Sequence, residues 1–128
     1  VIISLGHMSS IALDIKKRLL KNHINAMVID PVFIKPLDTE LLSSAFEKAK
    51  LIVTIEEHSL NGGLGSIINH FILETDCSQG KVLNFGIPDR LIFHGSHRDL
   101  LNSVGLSSER ISHIIFNSIE TAEKVEIG

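Results

Sequence analysis

The segment Glu56-Glu57-His58-Ser59-Leu60-Asn61-Gly62-Gly63-Leu64-Gly65-Ser66 holds the residue types closest to chemistry in this chain. Adjacent carboxylates invite an acid/base reading, and glycines ahead of a helix can present backbone N–H groups to a phosphate. Neither reading is complete. Consecutive strand residues point to opposite faces, so Glu56 and Glu57 diverge, whereas carboxylates that share a proton converge. Gly63-x-Gly65 lacks the third small residue of a dinucleotide fingerprint, because Ile68 stands there, and two carboxylates at the mouth repel a pyrophosphate. The spacing favours a rigid corner. In it the glycines let the backbone pass close to a neighbour, and Glu56 or Glu57 answers the free N–H groups of the helix.

Other candidates thin out in the same way. His94 and His97 lie three apart, with no Asp, Glu or Cys at an obvious ligand spacing, and no His-Glu-x-x-His occurs. Lys16, Lys17, Arg18 and Lys21 read as the solvated face of an amphipathic helix. Neither Gly-x-Ser-x-Gly nor a Walker A loop is present. Two proline loops remain, Phe33-Ile34-Lys35-Pro36-Leu37-Asp38 and Gly86-Ile87-Pro88-Asp89-Arg90. Both leave the carboxyl ends of predicted strands, where α/β sheets make their contacts. Asp89 and Arg90 are also placed to pair with each other.

The elements that position these segments alternate. Short β-branched runs at Val1–Leu5, Ala26–Asp30, Leu51–Ile55 and Val82–Phe85 read as strands covered on both faces. Helical periods lie between them: Ile11, Ile15 and Leu19; then Leu41, Leu42, Ala45, Phe46 and Ala49; then Leu64, Ile67, Ile68, Phe71 and Ile72. Two more helices are expected at Arg98–Val104 and Glu109–Ile119. Asp38 is placed to cap the second helix, Ser96 with Asp99 resembles a capping box, Gly105 ends a helix, and Ser107 or Ser108 starts the next. Such alternation implies a three-layer α/β/α domain with a mostly parallel sheet of about five strands.

Composition bounds the rest. The 128 residues are one domain's worth, 44% hydrophobic and 21% charged, with a mean hydropathy of +0.26, so the chain folds. A net charge of −3 supplies no basic field for nucleic acid or an anionic membrane, and no apolar run approaches a membrane span. Cys77, the single cysteine, excludes an internal disulfide and suits a reducing compartment. Val1-Ile2-Ile3 opens a strand without Met or a polar lead-in, which reads as a domain excised from a longer protein.

Taken in order, these blocks resemble the C-terminal domain of the transketolase superfamily, and more narrowly the last domain of the 1-deoxy-D-xylulose 5-phosphate synthases. Leu5-Gly6 is similar to the opening strand and turn. Asp30 with Phe33-Ile34-Lys35-Pro36-Leu37-Asp38 matches the second block, and Glu56-Glu57 with Gly62-Gly63-x-Gly65-Ser66 the third. Gly86-Ile87-Pro88-Asp89-Arg90, His94-Gly95-Ser96 and Gly105-Leu106 resemble the fourth, which favours the synthase over a ketoacid dehydrogenase β subunit or transketolase. One departure stands out: the family usually has Arg where this chain has Val32, so any ion pair of that Arg is absent.

The resemblance implies one antiparallel strand in the sheet, and a parent enzyme that uses thiamine diphosphate and Mg²⁺ to join pyruvate-derived carbon to glyceraldehyde 3-phosphate. It implies no catalytic, cofactor-binding or metal-binding residue here, since no Asp is flanked by glycines and the family's cofactor residues lie in upstream domains. The implied role is structural: packing on the catalytic domains of the same chain and supporting a homodimer, in bacterial cytoplasm or plastid stroma. Contact candidates are Lys35, Pro36, Asp38, Glu56, Glu57, Gly62, Gly63, Gly65, Pro88, Asp89, Arg90 and His94. A free-standing small-molecule binder built on the glycine corner is the rival reading.

Overall fold

The computed structural model describes residues 1–88 and 96–127, the side chains of 123–127 excepted. The elements run β1 (Ile2–Ser4), α1 (Met8–Leu20), β2 (Val28–Ile29), α2 (Thr39–Glu47), β3 (Leu51–Ser59), α3 (Leu64–Thr75), β4 (Lys81–Ile87), α4 (His97–Ser103) and α5 (Ser108–Ile127). The described strands form one sheet in the order β2-β1-β3-β4, and every pairing is parallel. That is one strand fewer than the expected five. The antiparallel strand is not among the described residues, which omit 89–95 with Asp89, Arg90 and His94.

Side chains alternate across the sheet, as strand geometry requires. Ile2, Leu51, Val53 and Ile55 pack with Met8, Ile15, Leu106, Ile111 and Ile115, which places α1, α4 and α5 on one face. Ile3, Ile29 and Ile52 pack with Leu42, Phe46, Leu64, Ile68 and Phe71, which places α2 and α3 on the other. Phe46 and Phe71 meet edge to face, their ring centroids 6.3 Å apart. The three-layer α/β/α arrangement follows from this division of apolar residues.

Helix ends obey local chemistry. Asp38 Oδ1 accepts the Leu41 N–H at 3.0 Å and starts α2. Ser96 Oγ accepts the Asp99 N–H at 3.2 Å and donates to the Asp99 carboxylate, so the box closes through side chains. Gly105, at φ +79°, ends α4: its N–H reaches Asn102 O and the Leu106 N–H reaches Leu101 O. That pair of bonds is a Schellman motif, and only a residue at ease with positive φ suits its turn. Ser107 caps α5, its Oγ accepting from the Arg110 N–H at 3.3 Å.

All four strands and α5 differ in length from expectation, β1 covering three residues and β4 seven. β3 continues to Ser59 because the ladder resumes after an irregularity, with Ser59 opposite Ile87, although Glu56-Glu57-His58-Ser59 carries no apolar signal. β2 shrinks to two residues at the sheet edge. α5 runs past Ile119 because residues 120–127 include no glycine or proline to break it.

Ser108 does other work, donating to Asp14 on α1, and Arg18 bridges Asp14 (2.9 Å) and Glu109. The hydrogen bond from Ser108, and then that from Arg18, hold the Asp14 carboxyl below its ordinary value. A carboxyl lowered in the folded state adds stability above its ordinary pKa and loses it as pH falls through the folded value. Asp14→Asn should therefore lower the urea midpoint at neutral pH. The gap from the parent chain should close as pH falls through the lowered folded value, where Asp14 itself protonates.

Candidate functional site

The glycine corner is built on a phase relation along β3. Glu56 lies two residues beyond Thr54 and four beyond Ile52, so its side chain turns toward α3 and is 1% exposed. Its Oε2 accepts the Leu64 N–H at 2.7 Å and its Oε1 accepts the Gly65 N–H at 2.9 Å. Gly63 occupies the N-cap of α3 and supplies no side-chain cap, so a carboxylate eight residues upstream serves in its place. Burying a charged carboxylate is costly; two N–H donors at the positive end of a helix answer that cost.

Close approach explains the glycines. A Cβ on Gly63 would stand 2.0 Å from Glu56 Oε2 and 2.6 Å from Ser59 O. Gly65 passes the Thr54 hydroxyl and the Asn84 amide, where a Cβ would lie 3.0 Å from each. These two side chains are themselves bonded at 2.7 Å between β3 and β4. The outer loop closes on itself: the Gly62 N–H reaches Ser66 Oγ at 3.1 Å, and Ser66 Oγ donates to Leu60 O at 2.8 Å.

Glu57 turns the opposite way, toward α4, where its Oε1 lies 2.8 Å from His97 Nε2. The contact meets the distance of an ion pair without hydrogen-bond geometry, so that buried oxygen has no hydrogen-bond partner among the described residues. The divergence of the two glutamates is thus realised, and no shared-proton site forms. His97 has found a carboxylate that local spacing did not reveal. Even so, the described residues contain no group of three or more His, Cys, Asp or Glu side chains able to hold a metal.

The other loop leaves β2, with β1 between it and the corner. Lys35 and Pro36 are exposed, their peptide bond is cis, and Asp38 serves the α2 cap. Val32 sits at φ +57°, a left-handed position that costs a β-branched residue about 1–2 kcal/mol. Asp30 holds it there by accepting the Val32 N–H at 3.0 Å, and the Phe33 N–H bonds back to Pro31 O. The same Asp30 accepts from Ser9, which accepts from the buried Ser4 hydroxyl, tying the ends of β1, α1 and β2 together. Val32 and Phe33 project outward, 69% and 67% exposed. Pro88, half-buried, closes the described part of the fourth block.

Chemically, this arrangement holds a fold together. The N-terminus of α3, which a diphosphate would use, is filled by a carboxylate of the same sign, so this corner does not fit the diphosphate of thiamine diphosphate.

Comparisons with known proteins agree with the architecture. The family described as "Transketolase, C-terminal domain" matches residues 1–111. The 1-deoxy-D-xylulose-5-phosphate synthase of Chlamydia muridarum (strain MoPn / Nigg) is 44% identical over 116 residues, which are 88% of this chain and 18% of that protein. The synthase of Chlamydia felis (strain Fe/C-56) is 49% identical over 109 residues, 85% of this chain and 17% of that protein. A solved structure, "Split gene transketolase, inactive beta4 tetramer", superposes with a TM-score of 0.79 at 33% identity, covering 91% of this chain and 37% of that one. The chain spans about a fifth of the length of the curated relatives it matches.

Glu56→Gln should cost about 2 kcal/mol, because one amide oxygen replaces two acceptors. Gly63→Ala should cost about 3 kcal/mol or more by expelling the carboxylate. Urea unfolding of both variants and of the double variant should show sub-additive losses, since each disturbs the same contact.

Proposed function

The chain belongs to the transketolase C-terminal domain family, and on that premise we propose that it is the structural end domain of a 1-deoxy-D-xylulose 5-phosphate synthase. The supporting observation is 44% and 49% identity to two such synthases, each matched over less than a fifth of its length. In this reading the parent enzyme takes pyruvate and glyceraldehyde 3-phosphate to 1-deoxy-D-xylulose 5-phosphate and CO₂, feeding isoprenoid precursors. Thiamine diphosphate and Mg²⁺ supply the carbanion chemistry from the remaining four fifths of the protein. The end domain binds neither, and its own polar groups at the corner are spent on α3.

The domain's part is to pack on the catalytic domains of its own chain and to brace a homodimer, in bacterial cytoplasm or plastid stroma. Exposed apolar residues beside Lys35 and Pro36 support the loop after β2 as a contact, because Val32 and Phe33 have no partner in the core. The corner at Gly62, Gly63 and Gly65, the Glu57 end of β3, and the segment of Pro88, Asp89, Arg90 and His94 are the other candidate contacts. Activity inherent in this chain is the rival, and the filled helix N-terminus argues against it.

The test compares this chain with the longer enzyme. The longer form should release CO₂ from pyruvate with thiamine diphosphate and Mg²⁺ present, whereas this chain alone should release none and give no calorimetric heat with the cofactor. Turnover or cofactor binding by the isolated chain would overturn the reading. Phe33→Asp should leave the chain's own stability within about 0.5 kcal/mol, as an exposed position allows, yet shift the longer enzyme toward monomer in sedimentation.

A further inference from the structure

Between β3 and α3 the chain crosses through Leu60, Asn61, Gly62 and Gly63. Of the asparagines in the chain, Asn61 alone precedes a glycine. Both residues of this pair are exposed, and the space over Gly62 is open, a Cβ there meeting no atom within 4 Å. An asparagine amide carbon is an electrophile within reach of the next backbone nitrogen through a five-membered ring. A side chain on the following residue crowds that ring, and glycine removes the obstacle. Asn102 and Asn117 precede serines, but inside α4 and α5, whose backbone bonds hold the following N–H. At Asn61 the restraint is a side chain. The Gly62 N–H donates to Ser66 Oγ at 3.1 Å, Ser66 Oγ donates to Leu60 O at 2.8 Å, and the Asn61 N–H donates to Ser59 Oγ at 3.2 Å.

We propose that Asn61 is a self-modification site, converting to aspartate and isoaspartate at a rate that the Ser66 hydroxyl sets. Hydroxide takes the proton from the Gly62 nitrogen, which attacks Asn61 Cγ. The new C–N bond closes a succinimide, the Cγ–Nδ2 bond breaks, and the departing amide takes a proton from water and leaves as ammonia. Water then opens the ring at either carbonyl, giving aspartate or an isoaspartate whose main chain runs through the side chain. Net, one water is consumed, one ammonia is released and hydroxide is regenerated. While Ser66 holds the Gly62 proton the nitrogen cannot lose it, so reaction waits for that bond to open. Isoaspartate lengthens the main chain by one carbon between Leu60 and Gly62. The Leu60 N–H is pinned to Ile87 O on β4 at 3.2 Å and the Gly62 N–H to Ser66, so the added atom breaks one of these bonds and loosens the corner.

Incubating the folded chain in mildly alkaline buffer and mapping its peptides by mass spectrometry tests this. Asn61 should convert while Asn102 and Asn117 stay intact. In the parent chain the Gly62 amide should exchange with solvent about two- to tenfold more slowly than in free peptide, the protection that one ordinary hydrogen bond gives. Ser66→Ala should remove that protection and raise the conversion rate by the same factor. Ser66→Thr, which keeps a hydroxyl, should stay near the parent rate. The isoaspartate product, separated by chromatography, should unfold at lower urea than the aspartate product. An intact Asn61 under conditions that convert a peptide of residues 58–64 would overturn the proposal. So would an unprotected Gly62 amide, a Ser66→Ala rate equal to the parent's, or equal urea midpoints for the two products. If Ser66→Ala does not fold, the exchange of Gly62 in the parent chain decides alone.

Discussion

A single carboxylate, Glu56, sets the geometry at the carboxyl edge of the sheet. It must be buried because it shares a strand phase with Ile52 and Thr54, and it is tolerable there because Leu64 and Gly65 offer two N–H groups. That requirement propagates. Gly63 has to lack a side chain so that the carboxylate can reach the helix. Gly86 on β4 has to lack one as well, since a Cβ there would meet Leu60, His58 O and Glu56 Cγ within about 3 Å. The start of α3, the end of β3 and the approach of β4 are therefore one interlocked unit.

The same interaction separates appearance from use. Glycines at a helix start and adjacent glutamates are the raw material of phosphate binding and of acid/base catalysis. Here Glu56 and the N–H groups of Leu64 and Gly65 satisfy each other, so those groups are not free for a ligand. Function has to be argued from what the groups still have free.

Much of this was legible in the sequence because it is local. The alternating β-branched runs and helical periods gave the layers. Asp38, Ser96, Gly105 and Ser107 marked helix ends through contacts three residues away or fewer. The corner was foreseen as rigid because the glutamates sit at a helix start whose N–H groups need acceptors. What escaped was non-local or lacked an apolar signature: the continuation of β3 through Glu56-Glu57-His58-Ser59, the bond from Ser108 to Asp14, the meeting of His97 with Glu57, and the chain from Ser4 through Ser9 to Asp30. Polar side chains carry no periodicity, so partners 21 and 94 residues away leave no trace in spacing. The left-handed backbone at Val32 ran against propensity altogether, because a β-branched residue is among the least expected there.

The position of β1 has a consequence for how the domain is made. Ile2 and Ile3 are almost wholly buried, yet the partner strand that covers them on one side begins about 50 residues later along the chain. At about 5–20 residues per second of synthesis, those isoleucines wait on the order of 3–10 s outside the ribosome before β3 can receive them. During that interval β1 has at most β2 beside it and keeps its other edge open, a form that crowded nascent chains can wrongly pair with. Biogenesis of this fold is thus governed by its middle, where β3 arrives, rather than by its beginning.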